Sequence, residues 1–142
     1  MKINLKRIND DYHFQLTNDR GHIVELDSRK EFGGSDLASS PMELLLMGIA
    51  GCSAIDMISI LKKQKQTITD FRAEVEGVRE KIDFASPFKK MELIFKIEGE
   101  IEPKKAKNAA DLSFQKYCSV SKTLEPMVEI SYKVFVNNKE VK

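Results

Sequence analysis

The chain predicts an α+β fold, with helices on one face of antiparallel sheet. Three observations carry this expectation. Short stretches of alternating apolar and polar residues recur at the start, the middle and the end of the chain. One long apolar run, residues 41–61, has helical length and sits between the first strands and the rest. A second helical stretch opens at Pro103, beside Glu102.

Taken in order, Ile3, Leu5 and Arg7, then Tyr12, Phe14 and Leu16, read as two strands joined by the polar turn Asn9-Asp10-Asp11. Asn18-Asp19-Arg20-Gly21 is a second turn signal, and Ile23, Val24 and Leu26 form the third strand of a meander. Lys30 to Ser40, with Gly33-Gly34, reads as a loop. The long helix follows and ends near Lys62 to Lys65, where cations suit the negative end of the helix dipole. Phe71, Ala73 and Val75 mark a strand, and Met91, Leu93, Phe95 and Ile97 mark another. Pro103 to about Tyr117 is a helix, Ser119 to Leu124 a short helix stopped by Pro126, and Val128 to Val136 a last strand. No repeat or linker interrupts this, and residues 1–142 read as a single domain.

Composition narrows the function. A net charge of +1 gives no electrostatic basis for binding nucleic acid or an anionic membrane. The apolar run contains Glu43 and Asp56, which are costly in lipid, so a helix buried in a soluble core is expected rather than a membrane span. Gly48 and Gly51 each weaken a helix by roughly 1 kcal/mol relative to Ala, which predicts close packing at both. The first residues, Met1 to Arg7, alternate apolar and charged and lack the apolar core of a signal peptide. A cytoplasmic location is expected, where any disulfide would be transient, catalytic or sensing.

Two cysteines carry the chemistry. Cys52 lies in the apolar helical run. Taken alone it reads more readily as a small buried apolar residue, since a reactive thiolate there needs an Arg, Lys or His beside it. Cys118 precedes the short helix, where backbone N–H groups and the dipole favour thiolate, so local physics predicts Cys118 as the more acidic thiol. Ser40-Pro41-Met42-Glu43 fits a capping box, and Glu43 at the helix start could also orient a cation next to a thiolate. His13 falls in an alternating strand and His22 near a turn, neither in a local motif. No HExxH, no CxxC and no paired-ligand spacing is visible, so no metal site is expected and no cofactor is implied.

Gly33-Gly34, Ser40-Pro41-Met42-Glu43-Leu44-Leu45-Leu46, Gly51-Cys52 and Tyr117-Cys118-Ser119-Val120-Ser121, in this order, resemble the OsmC/Ohr family. Cys52-Ser53-Ala54-Ile55-Asp56-Met57 resembles its broader OsmC-like branch. The resemblance spans essentially the whole chain. It implies an intertwined homodimer around a long central helix, with two active sites at the interface, and thiol peroxidase chemistry on organic hydroperoxides. It implies Cys52 as nucleophile, Cys118 as resolving thiol, and Glu43 as partner of an activating arginine. It further implies an external dithiol reductant, such as a lipoylated protein. The stretch that carries the arginine in the hydroperoxide reductases corresponds to about Asn9 to Tyr12 and holds none. Arg20, Arg29 and Arg7 are the candidates, in that order.

Two other readings stand beside the peroxidase. One is a non-catalytic thiol-containing dimer that binds a small apolar or electrophilic ligand at its interface. The other is a Cys-dependent acyl hydrolase, which requires His13 or His22 beside a thiol.

Overall fold

The computed structural model describes residues 1–142. The backbone forms two compact units, residues 1–45 and 46–142, each with its own sheet.

The first unit is the expected meander. β1 (Ile3–Arg7), β2 (Phe14–Asn18) and β3 (Ile23–Leu26) pair antiparallel in the order β1-β2-β3. Both turns are closed by asparagine side chains: Asn9 Oδ1 accepts from the backbone of Asp11 and His13, and Asn18 Oδ1 from Arg20 and His22. The segment from Ser28 to Ser40 is more ordered than a plain loop. It contains a 3₁₀ turn, Lys30–Phe32, ended by Gly33 at φ +87°. Gly34 permits a close approach: a Cβ there would lie 1.9 Å from the carbonyl oxygen of Ser28. Buried Asp27 organises the segment, accepting from the backbone N–H of Ser28 at 2.7 Å and Leu37 at 3.0 Å.

α1 (Pro41–Lys63) begins in the first unit and supplies the only long helix of the second. The second unit continues with β4 (Thr67–Arg79), β5 (Phe88–Glu100), α2 (Pro103–Leu112), α3 (Ser119–Leu124), β6 (Glu129–Val136) and β7 (Lys139–Val141). Its sheet runs β4-β5-β6-β7. The antiparallel expectation holds for β4 with β5 and for β6 with β7, but β5 and β6 run parallel. A parallel pair needs a long crossover, and α2 with α3 provides it. β7 was not expected. It is joined to β6 by Asn137 and Asn138, both at positive φ, a two-residue turn whose hand matches the twist of the strands.

β5 is the centre of this unit. Met91, Leu93, Phe95 and Ile97 alternate along it and are buried, with Val134 and Val136 of β6 and Ala106, Ala109 and Ala110 of α2. Phe95 meets Phe71 and Phe114 at ring-centroid distances of 6.0 and 6.1 Å. α1 contributes a stripe spaced by four: Ile49, Ser53, Met57 and Leu61.

That stripe is narrow. Only 22% of the most apolar 18-residue window of α1 is buried, although by length and composition the helix could cross a membrane. Ile55 is 71% exposed and Met47 53%. Within one chain α1 is thus covered along one stripe only. Close packing at its glycines, expected from sequence, is corrected. A Cβ on Gly51 would meet nothing, and one on Gly48 would reach only ordinary contact with Val120 at 4.0 Å.

Candidate functional site

Two clusters hold the residues that the sequence singles out. The first lies at the start of α1 and is a complete capping box. The Ser40 backbone N–H and hydroxyl both donate to Glu43 Oε2 at 2.7 Å, and the Glu43 N–H returns a longer bond of 3.4 Å to Ser40 Oγ. The other carboxylate oxygen accepts from Arg29 Nη2 at 3.1 Å, while Arg29 Nη1 lies 3.9 Å from Glu31. The Ser40 hydrogen bonds, and then Arg29, hold the Glu43 carboxyl below the usual carboxylate range. Among the three candidate arginines, Arg29 is thus the one that Glu43 engages. Arg20, ranked first from sequence, sits in the turn after β2, and Arg7 ends β1; neither forms an ion pair. Gly33-Gly34 and Asp27 shape the segment that brings Arg29 to Glu43, a segment whose sequence reads only as loop.

The second cluster gathers both cysteines. Cys52 projects from the middle of α1 and is half-buried; Cys118 is fully buried; both are free thiols. The α-helix expected through Tyr117 stops at Leu112, and residues Ser113–Tyr117 form a π-helical turn in which the Cys118 N–H bonds the Ser113 carbonyl at 2.8 Å. Such turns recur at functional sites because they offset the side chains that follow. Here the turn puts Cys118 at the N-cap of α3, where its Sγ accepts from the Ser121 N–H at 3.4 Å.

Asp56 completes the cluster. It lies one turn beyond Cys52 on α1, and the Cys52 and Cys118 sulfurs and an Asp56 carboxylate oxygen are all within 4.8 Å of one another. Ser113 Oγ donates to Asp56 Oδ2 at 3.1 Å. These three ligand-type atoms could hold a metal ion, a grouping that local spacing does not reveal because Cys118 is remote in sequence. The i, i+4 pair Cys52/Asp56 was the available signal.

The dipole argument for Cys118 is overturned. Burial, followed by the hydrogen bond and proximity of Cys52 and the charge of Asp56, outweighs the Ser121 N–H and raises the Cys118 thiol from about 9 to about 11. A six-residue helix offers one N–H bond here, which is too little to offset desolvation.

A cleft of about 430 Å³ meets the cluster only at Asp56; Ile60, Lys63, Gln64, Leu112 and Tyr117 are among its other walls, and neither cysteine lines it. Gln64 Oε1 is buried without a hydrogen-bond partner. The histidines are engaged elsewhere: His13 Nε2 lies 2.9 Å from Glu25 Oε2, and His22 Nδ1 3.2 Å from Asn18 Nδ2.

A fold of two sheets and a long helix, with two thiols brought together at a helix N-cap, defines a class of α+β thiol proteins. Residues 33–133 match the family model of OsmC-like proteins, and the chain belongs to that family. It is similar to protein YhfA of Escherichia coli, with 36% identity over 113 residues, 79% of this chain and 81% of that protein. A hypothetical protein of Aquifex aeolicus, known from a crystal structure, is 28% identical with a TM-score of 0.78, covering 96% of both chains. The crystal structure of an organic hydroperoxide resistance protein from Elizabethkingia anophelis, with thiocyanate bound, has a TM-score of 0.74 at 18% identity. It covers 96% of this chain and 97% of that one, and at this identity the likeness is one of fold.

Proposed function

We propose that the protein is a cytoplasmic thiol peroxidase that reduces organic hydroperoxides through a Cys52/Cys118 dithiol–disulfide cycle. The observation that carries this reading is the meeting of two cysteines from distant parts of the chain, one half-buried and one fully buried. The Cys52 thiolate attacks one oxygen of the peroxide; the O–O bond breaks, the alkoxide leaves as an alcohol on taking a proton, and Cys52 becomes a sulfenic acid. Cys118 then gives up its proton and attacks the Cys52 sulfur. The S–OH bond breaks, water leaves and a disulfide forms. An external dithiol, such as a lipoylated protein, restores both thiols by exchange. The raised Cys118 pKa suits the second role, since a thiol kept protonated does not compete for the peroxide.

The reading includes a homodimer around a central α1. Support comes from the uncovered apolar side of α1, at Met47 and Ile55, and from Val78, Ile82 and Phe84 on the β4–β5 hairpin, all exposed. Arg29, held by Glu43, is the proposed activating cation, supplied across the dimer to the Cys52 thiolate. The cleft beside Asp56 offers Ile60, Leu112 and Tyr117 to the organic part of the substrate.

Cys118→Ser tests the division of roles. It should leave a sulfenic acid on Cys52 that a dimedone-type reagent traps, whereas Cys52→Ser should consume no peroxide. Labelling of Cys118 in the Cys52→Ser protein at the wild-type rate would reverse the assignment.

The same cleft favours a second reading, a non-catalytic thiol dimer that holds a small apolar or electrophilic ligand. Turnover of hydroperoxide with a dithiol present decides between them. The hydrolase reading has no supporting observation, as both histidines are committed to Glu25 and Asn18.

A further inference from the structure

We propose that the reduced protein binds one zinc(II) ion per chain through Cys52 Sγ, Cys118 Sγ and an Asp56 carboxylate oxygen, with water at the fourth position. The inference goes beyond the peroxide chemistry and stands without it.

Geometry carries the inference. Tetrahedral zinc takes thiolate sulfur at about 2.3 Å and carboxylate oxygen at about 2.0–2.2 Å, which sets ligand atoms roughly 3.5–3.8 Å apart. The three atoms here already lie within 4.8 Å of one another, so a contraction of roughly 1 Å closes the site. They come from two places in the fold. Cys52 and Asp56 share one face of α1 by their i, i+4 spacing, and Cys118 is fixed between the π-helical turn and α3. Rigid elements of this kind hold ligands better than loops do.

The surroundings match a metal site in a second way. Ser113 Oγ donates to Asp56 Oδ2, fixing the carboxylate. Hydrogen bonds of this outer kind orient ligands in zinc proteins. The Ser121 N–H supports the Cys118 sulfur in the same manner.

Two soft sulfurs and one carboxylate select zinc over magnesium or calcium, which take oxygen ligands almost alone. Three protein ligands with one open position resemble the sites in which zinc keeps a water. Binding balances as the ion entering and two thiol protons leaving to solvent, with the carboxylate already ionised. Bound zinc occupies both sulfurs, so it and the Cys52–Cys118 disulfide exclude each other.

The test uses the full-length protein, reduced and metal-free, titrated with zinc against a chromophoric chelator and with cobalt(II) alone. We expect one zinc per chain. Cobalt should give a sulfur-to-metal charge-transfer band and ligand-field bands of tetrahedral intensity. Cys52→Ser and Cys118→Ser should each abolish both signals, and Asp56→Asn should weaken zinc at least about tenfold while far-ultraviolet circular dichroism stays unchanged. Zinc retained by the Cys52→Ser/Cys118→Ser protein, no competition with the chelator by the wild type, or an unchanged affinity in Asp56→Asn would each overturn the proposal. Failure of peroxide turnover would not bear on it, since no step of the assay uses peroxide.

Discussion

Arg29 donates from Nη2 to Glu43 Oε1 across 3.1 Å, joining the segment after β3 to the first turn of α1. The pair is about half exposed, so it adds little stability, on the order of 0–1 kcal/mol. Its orientation is nevertheless well defined, because Ser40 holds the other carboxylate oxygen with two hydrogen bonds.

Arg29→Met should therefore shift thermal stability by less than about 1 kcal/mol. It should slow alkylation of Cys52 by iodoacetamide at pH 7 several-fold, roughly as expected on removing a cation that supports a thiolate. Arg20→Met and Arg7→Met should leave the rate unchanged. A wild-type rate in Arg29→Met would remove Arg29 as activator and favour the binding-protein reading.

Acid should loosen the same corner. The Glu43 carboxyl is held below its ordinary range in the folded chain, so the stabilisation it gives is present above the ordinary carboxylate pKa and lost as pH falls through the folded value. Asp27 behaves alike, its carboxyl lowered chiefly by the Leu37 N–H. Amide exchange of residues 28–43 should accelerate as pH drops below about 4, after correction for intrinsic rates. The shift should vanish in Glu43→Gln/Asp27→Asn; persistence there would refute the assignment.

Alkali should act on Cys118 in the metal-free reduced protein. Its folded pKa is raised to about 11, so its neutral form stabilises the fold below the ordinary thiol value, and that contribution disappears between about pH 9 and 11. Mapped alkylation at pH 8 should label Cys52 well before Cys118. Equal labelling of both at that pH would contradict the burial argument.

Assembly is the fourth expectation. The uncovered side of α1 should be closed by a second copy, giving an interface above the roughly 2,000 Å² of standard complexes. Small-angle scattering at micromolar concentration should report a dimer mass. Ile55→Glu should shift it toward monomer, since Ile55 is 71% exposed within one chain. A monomer mass for the wild type would overturn this.

The legible parts of the fold were those with local causes. The asparagine turns announced the meander, Pro103 opened α2 where expected, and the capping box at Ser40 and Glu43 formed as read. What escaped depended on distant partners. The parallel pairing of β5 with β6 follows from the strand–helix–strand order, a cue outweighed by the serial strands before it. The end of α2 depends on a π-helical turn that no composition marks. At the site, the meeting of Cys52 with Cys118 was implied by resemblance alone. Asp56 went unread as a site residue because its partner Ser113 is 57 residues away. The acidity of Cys118 was misjudged because sequence shows a helix start but not the burial around it.

Thiol counting tests the central claim most directly. The reduced protein carries two thiols per chain, Cys52 and Cys118. One equivalent of tert-butyl hydroperoxide should remove both within the dead time of manual mixing and leave a Cys52–Cys118 disulfide in the peptide map, faster than hydrogen peroxide does. Survival of both thiols, or loss of only one without a disulfide between these two residues, would contradict the account.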